Sequence, residues 1–260
     1  TQPNIQRLGS SGRILVELPG AKDVDRVQNL LQSTAQLEFW ETFKNDQLVG
    51  FLIEANTLLV SKSKDNTSEK SDKDKSSEID DLLADVATQD SITTTFNPIL
   101  DRIVGQGFQG GPVLAKFAAR DADIIMNFLN QSDVRRLLPS EYRYTRFAWG
   151  KPIDNGNVLE LYALKSNRDN LAPLSGGVVV DALQTFDQLG NPAVSMQMDS
   201  RGARIWEKMT GKAFKENSNI AIVLDNIVYS APGVSSGAIS GGRSEITGNF
   251  TLNEGIDLAN

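Results

Sequence analysis

The sequence predicts an α+β fold: an antiparallel base with helices on one side, assembled from both ends of the chain and carrying an inserted α+β domain. Three observations predict it. The front of the chain runs from an apolar strand through an amphipathic helix to a second strand. The back closes on a strand followed by a helix start. Between them lies a strand, helix and hairpin layer with enough apolar residues for a core of its own. Joining the front β-α-β to the back β-α gives a split ferredoxin-like plan. Residues 1–43 and 241–260 then form a discontinuous base, and 44–240 an inserted head.

The elements follow in order. Arg13 to Leu18 is an apolar strand ended by Pro19-Gly20. Asp23 caps a helix to about Ser33, with Val24, Val27, Leu30 and Leu31 at helical spacing. Ala35 to Phe43 returns as a strand, with Leu37, Phe39 and Glu41 on one side and Glu38, Trp40 and Thr42 on the other. At the far end, Ser244 to Phe250 is a strand. Thr251 and Glu254 form a capping box that starts a closing helix, with Leu252 and Ile256 on one face.

The insertion opens with Leu48 to Val60, read as a strand or two. Lys62 to Glu78 has no apolar residue, so it cannot bury a face; a charged surface excursion over 62–78 is expected, either a linker or a docking segment. Short helices are expected over 79–86 and over Asp121 to Asn130, then one closed by Leu137-Leu138-Pro139. Val158 to Lys165 is a strand. Val178 to Leu189 is read as a helix and Ala193 to Met198 as a strand. Ser200 caps a helix through Phe214 that buries Ile205, Trp206, Met209 and Ala213. A hairpin follows: Ile220 to Leu224, a tight Asp225-Asn226 turn, and Ile227 to Ser230 stopped before Pro232.

Composition narrows the chemistry. The chain has neither cysteine nor histidine, which excludes disulfides, thiol catalysis, Cys-ligated metal and the usual imidazole base. Its net charge is −7 and no strongly basic cluster stands out, with Arg135-Arg136 and Arg143/Arg146 the nearest approach; a nucleic-acid partner is not expected. There is no apolar run of about 20 residues, the length a spanning helix needs.

No motif specifies catalysis or a cofactor. The glycine-rich run Gly105 to Pro112 lacks a following Lys-Ser/Thr, and Pro112 removes an N–H that a phosphate cradle would use; a mobile loop or hinge is the expectation. Carboxylates are plentiful at Asp181, Asp187, Asp199, Glu207 and Asp225, but Asp181 and Asp199 fall at element ends, where capping explains them, and Asp225 in a hairpin turn. Met196, Met198 and Met209 lie near Trp206 and Phe214. They fill a core, or they form an adaptable groove for varied apolar side chains. Gly241-Gly242, and Lys44-Asn45 at the other junction, either hinge the head on the base or serve plain turn chemistry.

One stretch is more specific. Ile222 to Pro232 reads IVLD-x-x-V-Y-S-A-P, Ala238 to Gly242 reads AISGG, and Ile246 to Phe250 reads ITG-x-F. These resemble the first periplasmic domain of SecD, or of the SecD half of a fused SecDF. Pro3 to Gly9, Arg13 to Gly20 and Ala35 to Phe39 are similar to the family's amino-terminal blocks. Leu174 to Gly177 with Asp181-Ala182 resembles its LTG-x-x-x-x-DA pattern, with Ser175 and Gly177 as variations. Asn191 to Val194 leading to Gly202-Ala203, and Thr251 to Asn260, fit later blocks. The resemblance covers roughly 1–43 and 171–260.

The resemblance implies a periplasmic loop of a Sec-machinery membrane protein, with membrane helices flanking it in the parent chain. It implies no enzyme activity and no cofactor in this domain. The partners it implies are an unfolded preprotein, a SecF-type protein or SecF half, and the Sec translocation channel with its accessory subunits. Its function would be to engage emerging preproteins and aid export driven by the proton motive force. The alternative is a scaffold that docks other Sec components without binding unfolded substrate.

Overall fold

A computed structural model describes residues 4–8, 13–17, 36–68, 96–187 and 189–247. The chain divides into two compact units, 1–36 and 37–260. In the first, β1 (Asn4–Leu8) and β2 (Arg13–Glu17) pair antiparallel from Asn4 opposite Glu17 to Leu8 opposite Arg13. The helix expected over 23–33 lies outside the described residues, as do those over 79–86 and from Thr251.

The second unit begins with β3 (Leu37–Glu41) and α1 (Asn45–Ser68). After it come β4 (Ile103–Gly105), β5 (Val113–Ala118), α2 (Ala122–Asn130) and α3 (Ser132–Arg135). Then come β6 (Arg146–Trp149), β7 (Val158–Leu164), the short β8 (Leu174–Ser175) and β9 (Val179–Phe186). The unit closes with β10 (Pro192–Met198), α4 (Ser200–Glu216), β11 (Ile220–Leu224), β12 (Ile227–Ser230) and β13 (Arg243–Thr247). Among the described residues these strands form three sheets, ordered β4-β5-β7-β6, β12-β11-β3-β8 and β13-β10-β9. Every named pairing is antiparallel. The architecture is mixed α and β with several antiparallel sheets.

The β3–β11 pair is the centre of the unit. Phe39, Ile220 and Ile222 face a core shared with Trp206, Met209 and the β10 methionines. Trp40, Ala221 and Val223 face the opposite way, onto Ala148, Tyr162 and Leu164 of β6 and β7. Burial on both faces explains why β11 reads as an unbroken apolar run and not an alternating one. The Asp225-Asn226 turn has positive φ at both residues, 49° and 69°, which suits a two-residue hairpin with its right-handed twist. The third core packs α1, α2 and α3 on the β5–β7 sheet.

Two predicted elements change type. Leu48 to Val60 is helical, within α1. Its buried residues are Leu48, Phe51, Leu52, Ala55 and Leu59, which is helical spacing. The exposed Val49 and Ile53 fill the gaps between them and disguise the period as a strand-like run. The backbone of 62–68 continues the helix, so the charged segment begins as helix; 69–78 lies outside the described residues. Val178 to Leu189 contains β9 instead of a helix. Its β-branched start favours extended backbone. The Asp187 carboxylate accepts hydrogen bonds from the Leu189 and Asn191 N–H groups at 2.8 Å each, closing the turn that pairs β9 with β10.

Smaller corrections concern α4. Its N-cap is Asp199, whose Oδ1 accepts from the Gly202 N–H at 2.6 Å, and Ser200 is the first helical residue. The helix runs past Phe214 to Glu216 and stops at Asn217, which takes a left-handed φ of 47°.

β3 belongs to the segment assigned to the base, and β11 to the segment assigned to the head. The same holds for β13, of the base segment, and β10. These strands are joined by direct pairing.

Candidate functional site

The five residues expected to form an adaptable groove separate into two environments. Val194, Met196 and Met198 occupy alternate positions on β10 and point at α4, where Trp206 and Met209 meet them. Met196 is 2% exposed and Met198 3%, and the Trp206 ring sits edge-on to Phe39 at 5.3 Å. Here Met196, Met198, Trp206 and Met209 are closed core. Phe214, the residue after buried Ala213, is 48% exposed.

The expected hinge residues are anchored. Gly241 and Gly242 have φ values of 79° and 74°, which glycine adopts freely. The Gly242 carbonyl accepts from the Met198 N–H at 2.9 Å, and a Cβ on Gly242 would lie 2.8 Å from that of Ala203. Lys44 N–H donates to the Gln47 side chain at 2.9 Å at the start of α1. Buried Asn45 is tied into the glycine-rich loop. Its Nδ2 donates to the Phe108 and Val113 carbonyls at 2.8 and 3.2 Å, and its Oδ1 accepts from the Gly110 N–H at 3.0 Å. Asn45→Ala removes these three hydrogen bonds; the Phe108 carbonyl keeps the Gly111 N–H at 3.0 Å, and a buried group left unmet costs roughly 1–3 kcal/mol. The expected result is a stability loss of about 2–3 kcal/mol in urea unfolding.

The exposed apolar residues lie elsewhere. Val180, Leu183 and Phe186 are exposed along β9, and Leu189 in the following turn is 87% exposed. β9 pairs on one side with β10 and ends its sheet among the described residues. It therefore presents backbone N–H and C=O groups together with apolar side chains, a combination that invites another extended chain. Sequence reasoning missed this because it read the segment as helix; the Val178-Val179-Val180 run was the available signal.

A second surface was also missed. Arg201, Arg204, Lys208, Lys212 and Lys215 follow one another at three- or four-residue steps on α4, so they share one face. Beside it runs a groove of about 480 Å³ lined by Glu41, Pro173, Arg201, Arg204, Ile205, Lys208, Met209 and Lys212. Lys212 Nζ donates to the Glu41 carboxylate at 2.5 Å, and Lys165 bonds Glu216 at 2.9 Å while standing 3.8 Å from Glu41. The hydrogen bond to Glu41 holds the Lys212 ammonium above its ordinary range. The Lys165 bond likewise pulls the Glu216 carboxyl below its ordinary 4.5. With its folded value depressed, the Glu216 contribution is present above pH 4.5 and fades as pH falls through the lower folded value. Glu216 is partly exposed and screened, so the effect is small. Glu216→Gln is expected to flatten slightly the fall of thermal midpoint below pH 4.5, checked by melts across that range.

Among the described residues, exposed strand edges and a charged helix face are carried on a multi-sheet α+β scaffold. Comparison with known proteins gives the family. Residues 161–260 match the family model "SecDF, P1 head subdomain", and residues 1–43 match "Protein translocase subunit SecDF, P1 domain, N-terminal". The protein translocase subunit SecD of Rhodothermus marinus is 38% identical over 263 residues, spanning 99% of this chain and 40% of that protein. SecD of Magnetococcus marinus is 44% identical over 86 residues, 33% of this chain and 16% of its own length. A solved SecDF in a "Super-membrane-facing form" aligns over 99% of this chain and 22% of its own, with 23% identity and a TM-score of 0.45. Another, described as "a membrane component SecDF that enhances protein export", aligns over 99% of this chain and 76% of its own, with 20% identity and a TM-score of 0.43.

The chain belongs to the SecD/SecDF family of protein translocase subunits, and corresponds to the P1 domain. It spans less than half the length of the curated relatives it matches. Among the described residues no helix is long and apolar enough to cross a membrane.

Proposed function

We propose that this chain is the periplasmic P1 region of a membrane-embedded Sec subunit, that it engages preproteins emerging from the translocation channel, and that it aids their export driven by the proton motive force. The SecF-type partner, or SecF half of the same chain, and the channel with its accessory subunits are the neighbours this role requires. The observation that carries the reading is the edge of β9, unpaired among the described residues, with Val180, Leu183 and Phe186 exposed along it. An emerging chain is extended and varied in sequence. Strand addition suits it, because main-chain hydrogen bonds give affinity whatever the side chains are.

Motion of a head on a ferredoxin-like base of 1–43 and 241–260 is part of the same proposal, with Lys44, Asn45, Gly241 and Gly242 at the joints. Such motion has to loosen the Asn45 hydrogen bonds or the close packing of Gly242. Met196, Met198, Trp206 and Met209 would meet substrate only in a state where α4 lifts from β10.

The test is fluorescence anisotropy of a labelled secretory polypeptide, unfolded and folded, titrated with this chain. Saturable binding of the unfolded form alone, weakened by Leu183→Lys and Phe186→Lys together, supports the reading. Binding of neither form removes it and leaves the scaffold that docks other Sec components.

A further inference from the structure

The basic face of α4 has no counterpart in that reading, and it stands out in a chain of net charge −7. Arg201 to Lys215 spans about 21 Å of helix at 1.5 Å per residue. On a regular helix the five cations fall within about 80° of arc, opposite the buried Trp206 and Ala213. Lys212 is committed to Glu41 Oε2, and Lys165 stands 3.8 Å from the same oxygen. Arg201, Arg204, Lys208 and Lys215 make no salt bridge among the described residues. Glu41 is the acid in the groove and its charge is already matched. Among the described residues the groove thus offers unpaired positive charge on its rim over an apolar floor of Pro173 and Ile205, with buried Met209 beneath.

We propose that this groove binds an acidic polypeptide segment of a protein partner. Carboxylates of the segment pair with Arg201, Arg204 and Lys208, and its apolar side chains lie along Ile205 and Pro173. Charge complementarity selects the occupant: four cations on one helix face with no salt bridge among the described residues favour a partner with several spaced carboxylates. The concavity favours a chain over a lipid surface, because a planar bilayer would touch the rim and leave the floor empty. Arginine at two of the three rim positions suits carboxylate, which its planar fork binds through two parallel hydrogen bonds. The inference concerns a surface apart from β9 and stands whether or not β9 captures unfolded chains.

The experiment titrates this chain into a fluorescein-labelled peptide in which Glu and Asp alternate with Leu and Ser, beside a peptide of the same length with Lys in place of the acids. Saturable binding of the acidic peptide alone is expected. The Arg204→Glu, Lys208→Glu double variant should weaken it about tenfold or more, as should a rise to high salt. Arg168→Glu, an exposed change outside the groove, should leave binding unchanged. The thermal transition of each variant is recorded to show that it folds; Arg204→Gln replaces the double variant if that one does not. Equal binding of both peptides, no binding of the acidic one, or binding untouched by the variants overturns the proposal. So does variant-sensitive binding to phosphatidylglycerol vesicles without binding to the acidic peptide, which would make the stripe a membrane contact.

Discussion

Replacing Met196 and Met198 together by serine is expected to abolish the cooperative thermal transition. Both side chains are almost wholly removed from solvent, on the face of β10 that meets Trp206 and Met209. Truncating a buried methionine costs about 2–5 kcal/mol through lost transfer energy and the cavity left behind. Each serine hydroxyl adds about 1–3 kcal/mol where it finds no hydrogen-bond partner in the apolar layer. Two such changes are neighbours, so their costs do not add strictly, yet together they approach the whole stability of a domain, about 5–15 kcal/mol. Differential scanning calorimetry checks this. A variant that keeps its transition within a few degrees would show that the β10–α4 contact opens readily, and would return these residues to the substrate groove. Met196→Leu is the control, expected to cost less than about 1.5 kcal/mol because volume is conserved.

Trp40→Ala is expected to lower stability by about 3–5 kcal/mol, the usual range for removing a buried tryptophan. Trp40 is 0% exposed and fills the space between the central sheet and β6–β7, against Ala148, Tyr162 and Leu164. Its indole N–H donates to Glu38 Oε2 at 2.9 Å, and the Arg146 guanidinium bonds the same oxygen at 3.0 Å while lying 5.0 Å from the ring centroid. The loss therefore reaches beyond area. Removing the ring deprives Glu38 of one donor and Arg146 of a cation–π partner. For a unit of this size the midpoint should fall by about 6–20 °C. Trp40→Phe, which keeps an aromatic ring but not the N–H, should recover more than half of the loss. An alanine variant within about 1 kcal/mol of the parent would mean that the two layers are not held by this residue.

Much of the fold was legible in the residues. The β11–β12 hairpin followed from an apolar run, Asp225-Asn226 and Pro232, because backbone sterics at a two-residue turn admit few residue types. α2 and α4 followed from their spacing, and β10 from its alternation. α1 did not: Val49 and Ile53 stand exposed between its core positions and hide the period. β9 did not either, since its edge position leaves apolar residues facing solvent, where pattern alone suggests another element.

The surfaces were less legible than the fold. The α4 stripe is written in the spacing of Arg201, Arg204, Lys208, Lys212 and Lys215, and a count of charges along the helical period would have found it. Its meaning needed tertiary structure, because Glu41 comes from β3 and Lys165 follows β7. Only their positions show that Lys212 is occupied while Arg201, Arg204, Lys208 and Lys215 make no salt bridge among the described residues.

The sequence by itself determined the family, the absence of cysteine and histidine chemistry, and the Asp225-Asn226 turn, since these depend on residue identity and on short-range sterics. Tertiary structure alone decided that β3 lies between two cores and that four of the five groove residues are interior. It also decided that β9 ends its sheet among the described residues. Burial and pairing are set by strands distant in sequence, such as β3 with β11, and no local pattern carries which partner arrives.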